Sequence, residues 1–292
     1  MSFTPKLIDC CVFAEEIEIL QIRLSEMYPV CDQILIVESN RTQTRLEKPF
    51  NFELNKDKFT PWLDKITYYK LEDFIPEQNN FCWQHEKYQR NCLMNALAQY
   101  QKEKDIILTS ELKICLGDVD EVVNGQLLKQ TAEKDVELVS FDHIFGSYFL
   151  NFYAERSWFG AVLTTWENIQ KNGFQHYREI KDKIPHIHDT KLPSWHFSSV
   201  GNPVFDFNWH KWETRIEPAD KLWMKLPDAK KKWKKLFDAC VLDEKYFFFC
   251  DDPSRRDISV KLNILPNKEL PGFVQKNLAK FAHLMYPTDV KL

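Results

Sequence analysis

The sequence predicts an α/β domain with a doubly wound, mainly parallel sheet, and three observations support this class. Apolar runs alternate with helical patterns through the first 122 residues, as they do in successive βαβ units. The run QILIVE at 33–38 is apolar almost throughout, which is typical of a strand covered on both faces. A chain of 292 residues with 44% hydrophobic residues can bury the core that such a sheet needs.

The elements of the first half follow from local patterns. Residues 6–13 (KLIDCCVF) read as a first buried strand. Residues 15–27 place Ile17, Leu20 and Leu24 at helical spacing, and Pro29 ends this helix. The same reasoning predicts strands at 33–38, 66–71, 105–108 and 113–116, helices at 59–64 and 81–101, and an irregular polar loop at 40–55.

The second half is less regular. The sequence predicts strands at 136–140 and 147–153, an ambiguous segment at 161–170 and a polar loop at 173–193. It then predicts a segment at 194–201 that ends in a tight turn, a mainly helical stretch at 217–242 and a terminal helix at 273–285. Neither an internal repeat nor a low-complexity linker interrupts the chain, so we expect one domain over residues 1–292.

Composition excludes several classes of protein. The net charge of −4 gives no electrostatic support to nucleic-acid binding. With 7 glycines, the sequence contains neither a dinucleotide-binding nor a P-loop motif. The basic run at 230–235 (KKKWKK) is interpreted as a solvated helix face. Eight cysteines without a C-x-x-C pair indicate reduced, buried thiols. We expect a soluble, cytoplasmic protein, because neither a signal peptide nor a transmembrane segment is evident.

An acidic triplet, Asp118-x-Asp120, follows the strand predicted at 113–116. In α/β folds, the carboxyl ends of strands form the edge where ligands bind. Two nearby carboxylates repel unless a cation or solvent lies with them, and oxygen ligands favour Mg²⁺ or Mn²⁺. The motif alone is also common in solvated loops, so it favours a metal site without establishing one.

Seven segments, taken in chain order, resemble the motifs of one family. They are DCCVFAEEIEILQIRL at 9–24, VES at 37–39, YQRN at 88–91, GDVDE at 117–121, SWFG at 157–160, WHFS at 195–198 and LP at 265–266. On these segments the chain resembles glycosyltransferase family 17, the β-1,4-mannosyl-glycoprotein N-acetylglucosaminyltransferases. It looks like a stand-alone soluble member, of the kind that bacteria and large DNA viruses carry, which in a virus would act in the host cytoplasm.

The resemblance implies a single GT-A domain, Rossmann-like, with a mixed central sheet. Residues 1–122 would form the donor half, and residues 123–292 the acceptor half with C-terminal helices. The implied reaction is an inverting transfer from a UDP-sugar, with UDP-N-acetylglucosamine favoured, to a glycan hydroxyl in β linkage. Mn²⁺ or Mg²⁺ would be held by Asp118 and Asp120, with His196 as third ligand and His210 in reserve.

The resemblance also assigns residues to the nucleotide. Arg90 would pair bidentately with the diphosphate, with Asn91 beside it. Glu16 or Glu38 would accept hydrogen bonds from the uracil or ribose. The full set of expected donor-binding residues is Glu16, Arg23, Glu38, Lys48, Arg90, Asn91 and Asp118. The alternative for Glu16 is a first-turn acid favoured by the helix dipole, and the alternative for Arg23 is a salt bridge.

An inverting transferase needs a carboxylate as general base on the acceptor hydroxyl. Asp206 is the first candidate, because Phe205 and Phe207 would raise the pKa of a carboxyl between them. The other candidates are Glu121, Asp142 and Glu213. Sugar rings would stack on aromatic side chains, for which the candidates are Tyr153, Trp158, Phe159 and Trp195.

Departures from the family pattern keep other functions open. Glu15 stands where the family has Asn, and the loop at 42–48 has no glycine. UDP-xylose or another UDP-hexose is therefore the alternative donor, used to build a viral or bacterial surface glycan. The remaining alternatives are a metal-dependent phosphoryl transferase or nuclease, and an inactive glycan-binding module.

Overall fold

The computed structural model describes residues 4–72, 83–214, 227–245 and 260–287. Ten strands form one mixed sheet in the described part of the chain. In chain order they are β1 Leu7–Phe13, β2 Gln33–Ser39, β3 Ile66–Leu71, β4 Lys113–Asp118, β5 Glu121–Val122, β6 Leu138–Ser147, β7 Phe152–Thr165, β8 His186–Ile187, β9 Ser194–Ser198 and β10 Leu262–Ile264.

The strand order is β3-β2-β1-β4-β7-β6-β9-β5, with β8 added at β6 and β10 at β7. Strands β1 to β4 pair in parallel, whereas β7 runs antiparallel to β4 and to β6. The chain leaves β1 toward β2 on one side and later returns to β4 on the other. This reversal opens a crevice at the carboxyl ends of β1 and β4, which is where such sheets bind ligands. The α/β class with a mixed central sheet is confirmed.

Helices cover both faces of this sheet. They are α1 Ile17–Met27, α2 Asn51–Leu54, α3 Trp83–Asn91, α4 Leu93–Lys104, α5 Gly125–Ala132, α6 Trp166–Ile180, α7 Val204–Thr214, α8 Ala229–Leu242, α9 Gly272–Lys276 and α10 Leu278–Phe281. Short 3₁₀ helices span Lys56–Lys65, Asn267–Glu269 and Ala282–Leu284. None of the described helices is long and apolar enough to cross a membrane.

Strand alternation divides the core into two layers. Cys11 and Ile34 point to the face covered by α1 and α5, while Cys10 and Leu35 point to the face covered by α4 and α6. Each fully buried aliphatic side chain of this kind stabilises the fold by roughly 1.5–3 kcal/mol relative to exposure. Because both faces are covered, these strands have the continuous apolar sequence from which they were predicted.

The secondary-structure prediction is wrong at three places where a helix or strand ends or bends. The strand predicted at 105–108 is wrong: Asp105 ends α4 in the left-handed region with φ 50°, and Ile107 is 80% exposed. The loop predicted at 173–193 begins inside α6, which continues past a kink at Gly173, where φ is 75°. The strand predicted at 147–153 covers a turn between β6 and β7.

The predicted helices lie at the right places in the chain, but two of them are divided into shorter helices. The helix predicted at 81–101 is two helices, α3 and α4, that meet at Cys92, and residues 81–82 lie outside the described residues. The helix predicted at 273–285 is divided into α9, α10 and a 3₁₀ turn. Of the stretch predicted at 217–242, residues 217–226 lie outside the described residues, and α8 forms most of the rest.

Candidate active site

A cleft of about 440 Å³ opens at the carboxyl ends of β1 and β4. Residues 12–16 and 118–120 form its floor, and α7 lines it with His210, Lys211 and Thr214. Its other lining side chains come from the loop after β2, from α3 and α6, and from the strands β6, β7 and β9; they include Arg41, Gln43, Lys48, Glu86, Arg90, Phe145, Arg156, Trp158, Arg178 and His196. The acidic triplet therefore lies in a cleft rich in cations.

Asp118 is bound by two arginines. Arg90 donates from Nη2 to Oδ1 at 2.9 Å, and Arg178 donates from Nη2 to Oδ2 at 2.7 Å. Burial opposes ionisation of this carboxyl, but the guanidinium groups of Arg178 and Arg90 outweigh it and hold the pKa of Asp118 well below its usual range. Both of its oxygens are thus committed to fixing two arginines at the edge of the cleft.

Glu121 connects Asp118 and Arg178 to Trp158 on β7. Its Oε1 accepts hydrogen bonds from Trp158 Nε1 at 2.9 Å and from Arg178 Nη1 at 2.8 Å, and its Oε2 accepts one from the backbone N–H of Asp118. Although burial acts to raise its pKa, the Arg178 charge prevails and lowers the pKa of Glu121 to about 2. A fully buried, ionised and hydrogen-bonded carboxylate is a structural anchor, and it is not suited to be a general base.

Gly160 explains why the SWFG segment ends in glycine. A Cβ at this position would come within 2.9 Å of the His143 ring and 3.1 Å of the Glu121 carboxyl carbon. Real Cβ atoms essentially never show the first of these separations, and the second is tighter than nine in ten of their contacts. The glycine lets β7 approach the charged network closely enough for Trp158 to reach Glu121.

Asp120 faces a different set of partners. His196 Nε2 and Lys211 Nζ lie 3.7 and 3.6 Å from the same oxygen, Oδ2. The strand pairing of Glu121 with His196 brings the imidazole to this position, and its ring stacks on Trp158 with centroids 4.3 Å apart. Burial lowers the pKa of His196 to about 4, so the ring is neutral near pH 7. Among the described residues, its Nδ1 has no hydrogen-bond partner.

These contacts test the predicted metal ligands. Asp120 and His196 fit a divalent cation, since a carboxylate oxygen and a neutral imidazole nitrogen face each other in a buried position. Asp118 does not fit, because both of its oxygens accept from guanidinium groups. In the described part of the chain, no three His, Cys, Asp or Glu side chains converge as a metal site. Among the described residues, two side chains thus fit a cation, and His210 instead lies 3.2 Å from Glu15.

Arg23 was expected to bind the nucleotide, but it lies in the core and stabilises the backbone of the acidic turn at 118–121. It is fully buried and donates to both carboxylate oxygens of Asp9, at 2.6 and 2.8 Å. Its Nη1 also donates to the backbone carbonyls of Asp118 and Glu121, at 3.0 and 2.8 Å. With these donors used inside the core, Arg23 cannot reach a ligand, and it fixes the backbone of the turn instead.

Glu38 and Lys48 are paired with each other. The fully buried Glu38 carboxylate accepts from Lys48 Nζ at 2.6 Å, from the backbone N–H of Asn51 at 2.7 Å and from Tyr68 OH at 2.8 Å. Glu38 therefore anchors the loop after β2 and has no route to a nucleotide. Lys48 lines the cleft, but its ammonium also donates to the carbonyl of Ala14.

Two further predicted residues lie outside the cleft lining. Asn91 is exposed, and its Oδ1 accepts from the backbone N–H of Gln175 just beyond the α6 kink. It therefore positions the helical segment that carries Arg178. Asp206 is also exposed, and its carboxylate lies 2.8 Å from Lys230 Nζ. The apolar neighbours that the sequence places beside Asp206 do not bury it, because they lie on other sides of α7.

The remaining candidates are distributed between the cleft and its surroundings. Glu16 lines the cleft, and its contact with the nucleotide stays a prediction. Glu213 accepts from Trp209 Nε1 at 2.6 Å, and Asp142 accepts from Ser157 and from His188 in a neighbouring cavity of about 370 Å³. Of the four predicted aromatics, Trp158 lines the cleft, whereas Tyr153 lines that cavity, Phe159 stacks on His186 and Trp195 donates to the carbonyl of Glu269.

Sequence reasoning missed Arg178 and Lys211, and it did not foresee the contact between Glu15 and His210, which it had named as a reserve metal ligand. Arg178 lies in a segment whose polarity indicated a loop, and Lys211 lies 91 positions after Asp120 without a recognisable motif between them. A signal did exist, because three acidic residues at 118, 120 and 121 require compensating cations once they are buried. That requirement does not identify which of the 39 lysines and arginines supply the charge.

Two solved structures that match this chain are described as glycosyltransferases. A mannosyltransferase from Pyrobaculum calidifontis, solved with GDP-Man and Mn²⁺, is 11% identical and matches 82% of this chain and 75% of its own, with a TM-score of 0.39. A glycosyltransferase involved in glycosylation of the PBCV-1 major capsid is 8% identical and matches 62% of this chain and 68% of its own, with a TM-score of 0.26.

A comparison with curated protein sequences gives no significant match. By contrast, the family described as Glycosyltransferase family 17 matches residues 1–289, nearly the whole chain. The acidic turn, the two arginines and the WHFS strand all lie within this match. The chain belongs to glycosyltransferase family 17, and the protein is a glycosyltransferase.

Proposed function

We propose that the protein is an inverting, divalent-metal-dependent transferase that uses a UDP-sugar, with UDP-N-acetylglucosamine favoured, and glycosylates a glycan hydroxyl in β linkage. Residues 1–122 supply most of the donor half, and residues 123–292 most of the acceptor half, while Arg178 and His196 of the second part also line the donor cleft. The observation that carries the proposal is the apposition of Asp120 and His196 beside the Arg90–Asp118–Arg178 cluster, at the sheet edge where α/β folds bind nucleotides.

The arginine cluster supports binding of a nucleoside diphosphate. Asp118 holds both arginines in place. Arg178 retains 18% exposure toward the cleft and is the better placed of the two, whereas Arg90 is 4% exposed and also donates to Glu86 and Gln175. Guanidinium groups fixed in this way match phosphate oxygens and need no rearrangement when negative charge develops on the leaving group. Asp118 thus contributes by positioning two cations.

The Asp120–His196 pair supports a metal site completed by the donor. Mg²⁺ and Mn²⁺ are commonly bound by one or two protein ligands together with substrate phosphates. When bound there, the metal would act as a Lewis acid on the leaving diphosphate. The stacking of His196 on Trp158 and the pairing of its strand with Glu121 fix the orientation of the imidazole.

Glu15 is the best-placed general base in the described structure. Its side chain is 29% exposed in the cleft lining, more than those of Glu16, Glu86, Asp118 and Asp120. Burial and the adjacent Glu16 charge raise its pKa, which brings a carboxylate closer to the basicity that proton abstraction needs. His210 Nε2 lies 3.2 Å from its Oε2 and can orient it.

Replacing Glu15 by Gln is expected to lower the rate of transfer by about 10²–10⁴-fold while UDP-sugar affinity stays within about threefold. A base must be deprotonated, so transfer by the unaltered protein should fall as pH drops through the raised pKa of Glu15, and the variant should lose this limb. Initial-rate pH profiles and calorimetric UDP binding measure both effects. Asp206→Asn is the matched control and should retain transfer. A loss of UDP affinity in Glu15→Gln would instead place this residue at the nucleotide.

The proposed function is tested by UDP release from a panel of UDP-sugars, with Mn²⁺ and with EDTA. We expect metal-dependent release from one donor, stimulated by its acceptor. Release from UDP-xylose or another UDP-hexose would replace the favoured donor and retain the mechanism. Glycan binding without turnover of any donor would support the inactive binding module, and equal turnover in EDTA would exclude the metal.

A further inference from the structure

Lys211 places its ammonium between two carboxylates of the cleft, Asp120 and Glu16. Its Nζ lies 3.6 Å from Asp120 Oδ2 and 4.0 Å from Glu16 Oε1, and its side chain is 5% exposed. It reaches this point from α7, in the second half of the chain, while both carboxylates belong to the first half. An ammonium group thus neutralises the acidic pair from within the protein.

This placement conflicts with binding of a metal alone. Asp120 Oδ2 is also the oxygen that faces His196, so a cation bound to that pair would lie within a few ångströms of the Lys211 ammonium. Like charges at that separation repel strongly in a buried site, where solvent screens them little. A diphosphate removes the conflict, because its oxygens can bind the metal and the ammonium together.

We infer that Lys211 is an exchangeable counter-ion that makes metal binding depend on the donor. In the free protein it neutralises Asp120 and Glu16. When the nucleotide arrives, the ammonium moves to the diphosphate and leaves Asp120 to the metal. This inference rests on the proposed function, and it requires positive coupling between metal and nucleotide that is reciprocal by linkage.

The test is Mn²⁺ binding followed by the electron paramagnetic resonance signal of the free ion, with and without UDP. For the unaltered protein, UDP should tighten Mn²⁺ binding by roughly 5- to 150-fold. In Lys211→Met, Mn²⁺ alone should bind about tenfold more tightly, while UDP should bind more weakly in saturating Mn²⁺. Lys211→Arg keeps the charge and should retain weak binding of Mn²⁺ alone. Lys129→Met, on the exposed face of α5, controls for loss of a surface charge.

The opposite directions of the two changes distinguish this role from a structural one. A variant that merely loosens the site would weaken Mn²⁺ and UDP together, and that result would overturn the inference, as would unchanged Mn²⁺ affinity in Lys211→Met. Thermal unfolding of each variant with and without ligands checks that it folds. If UDP binds but Mn²⁺ binds to no variant, the metal in the proposed function fails, which is a different outcome from loss of the coupling alone.

Discussion

Replacing Asp120 by Ala is expected to abolish metal-dependent transfer, with a fall of about a thousandfold or more in kcat, because Lewis-acid stabilisation of a leaving diphosphate amounts to several kcal/mol. Asp120 is the carboxylate that faces His196, and its removal leaves the described site with one of the two ligands that fit a cation. UDP release with increasing Mn²⁺ measures the effect. Asp135→Ala, an exposed position after α5, is the matched control and should have normal activity.

Comparing Asp118→Asn with Asp120→Ala distinguishes the roles of the two aspartates in the motif. Asp118 binds Arg90 and Arg178, so we expect this variant to retain Mn²⁺ affinity in the presence of UDP while its kcat falls. Asp120→Ala should lose Mn²⁺ affinity itself. If Asp118→Asn loses Mn²⁺ as completely as Asp120→Ala, then Asp118 is a metal ligand after all, as the sequence first indicated. Full metal-dependent turnover by Asp120→Ala would exclude the site.

Arg23→Met should have the largest effect on stability, lowering the free energy of unfolding by about 3–5 kcal/mol, because it leaves the Asp9 carboxylate buried and unpaired. The same change removes the hydrogen bonds to the carbonyls of Asp118 and Glu121, so activity should also fall in the molecules that remain folded. Urea unfolding followed by circular dichroism measures the first effect, and UDP release at low temperature measures the second.

A double variant tests the cause of that instability. Replacing a buried ion pair by apolar residues is often close to neutral, so Asp9→Leu combined with Arg23→Met should recover much of the lost stability. Transfer activity should remain low, because the carbonyls of the acidic turn still lack their donor. An Arg23→Met protein within about 1 kcal/mol of the unaltered chain would show that the pair is not an essential part of the core.

The features that could be predicted well from the sequence are those with a regular local pattern. The buried strands β1 and β2 are mainly apolar, and β3 is rich in β-branched and aromatic residues. All three could therefore be placed within a residue or two, and the acidic turn could be assigned to the edge of the sheet. Membership of the family was also evident from seven short segments in a common order. Each of these signals is local or depends only on chain order.

The pairing of polar side chains could not be predicted in the same way. Glu38 and Arg23 look like ligand-binding residues in sequence, because charged groups at strand ends and on helices often bind nucleotides. The structure satisfies both of them internally, Glu38 with Lys48 and Arg23 with Asp9. Conversely, Arg178 reaches Asp118 across 60 positions of chain. Contacts of that kind depend on packing, for which neither periodicity nor spacing carries a signal.

The pairing of β5 with β9 has a consequence for engineering this protein. Asp120 comes from the first half, whereas His196 and Lys211 come from the second, so both halves supply the charges that meet at Asp120. A chimera that joined the first half to the second half of a relative would have to carry these three residues as a set. Grafts that follow the apparent boundary near residue 122 should therefore keep the pairing of β5 with β9 intact.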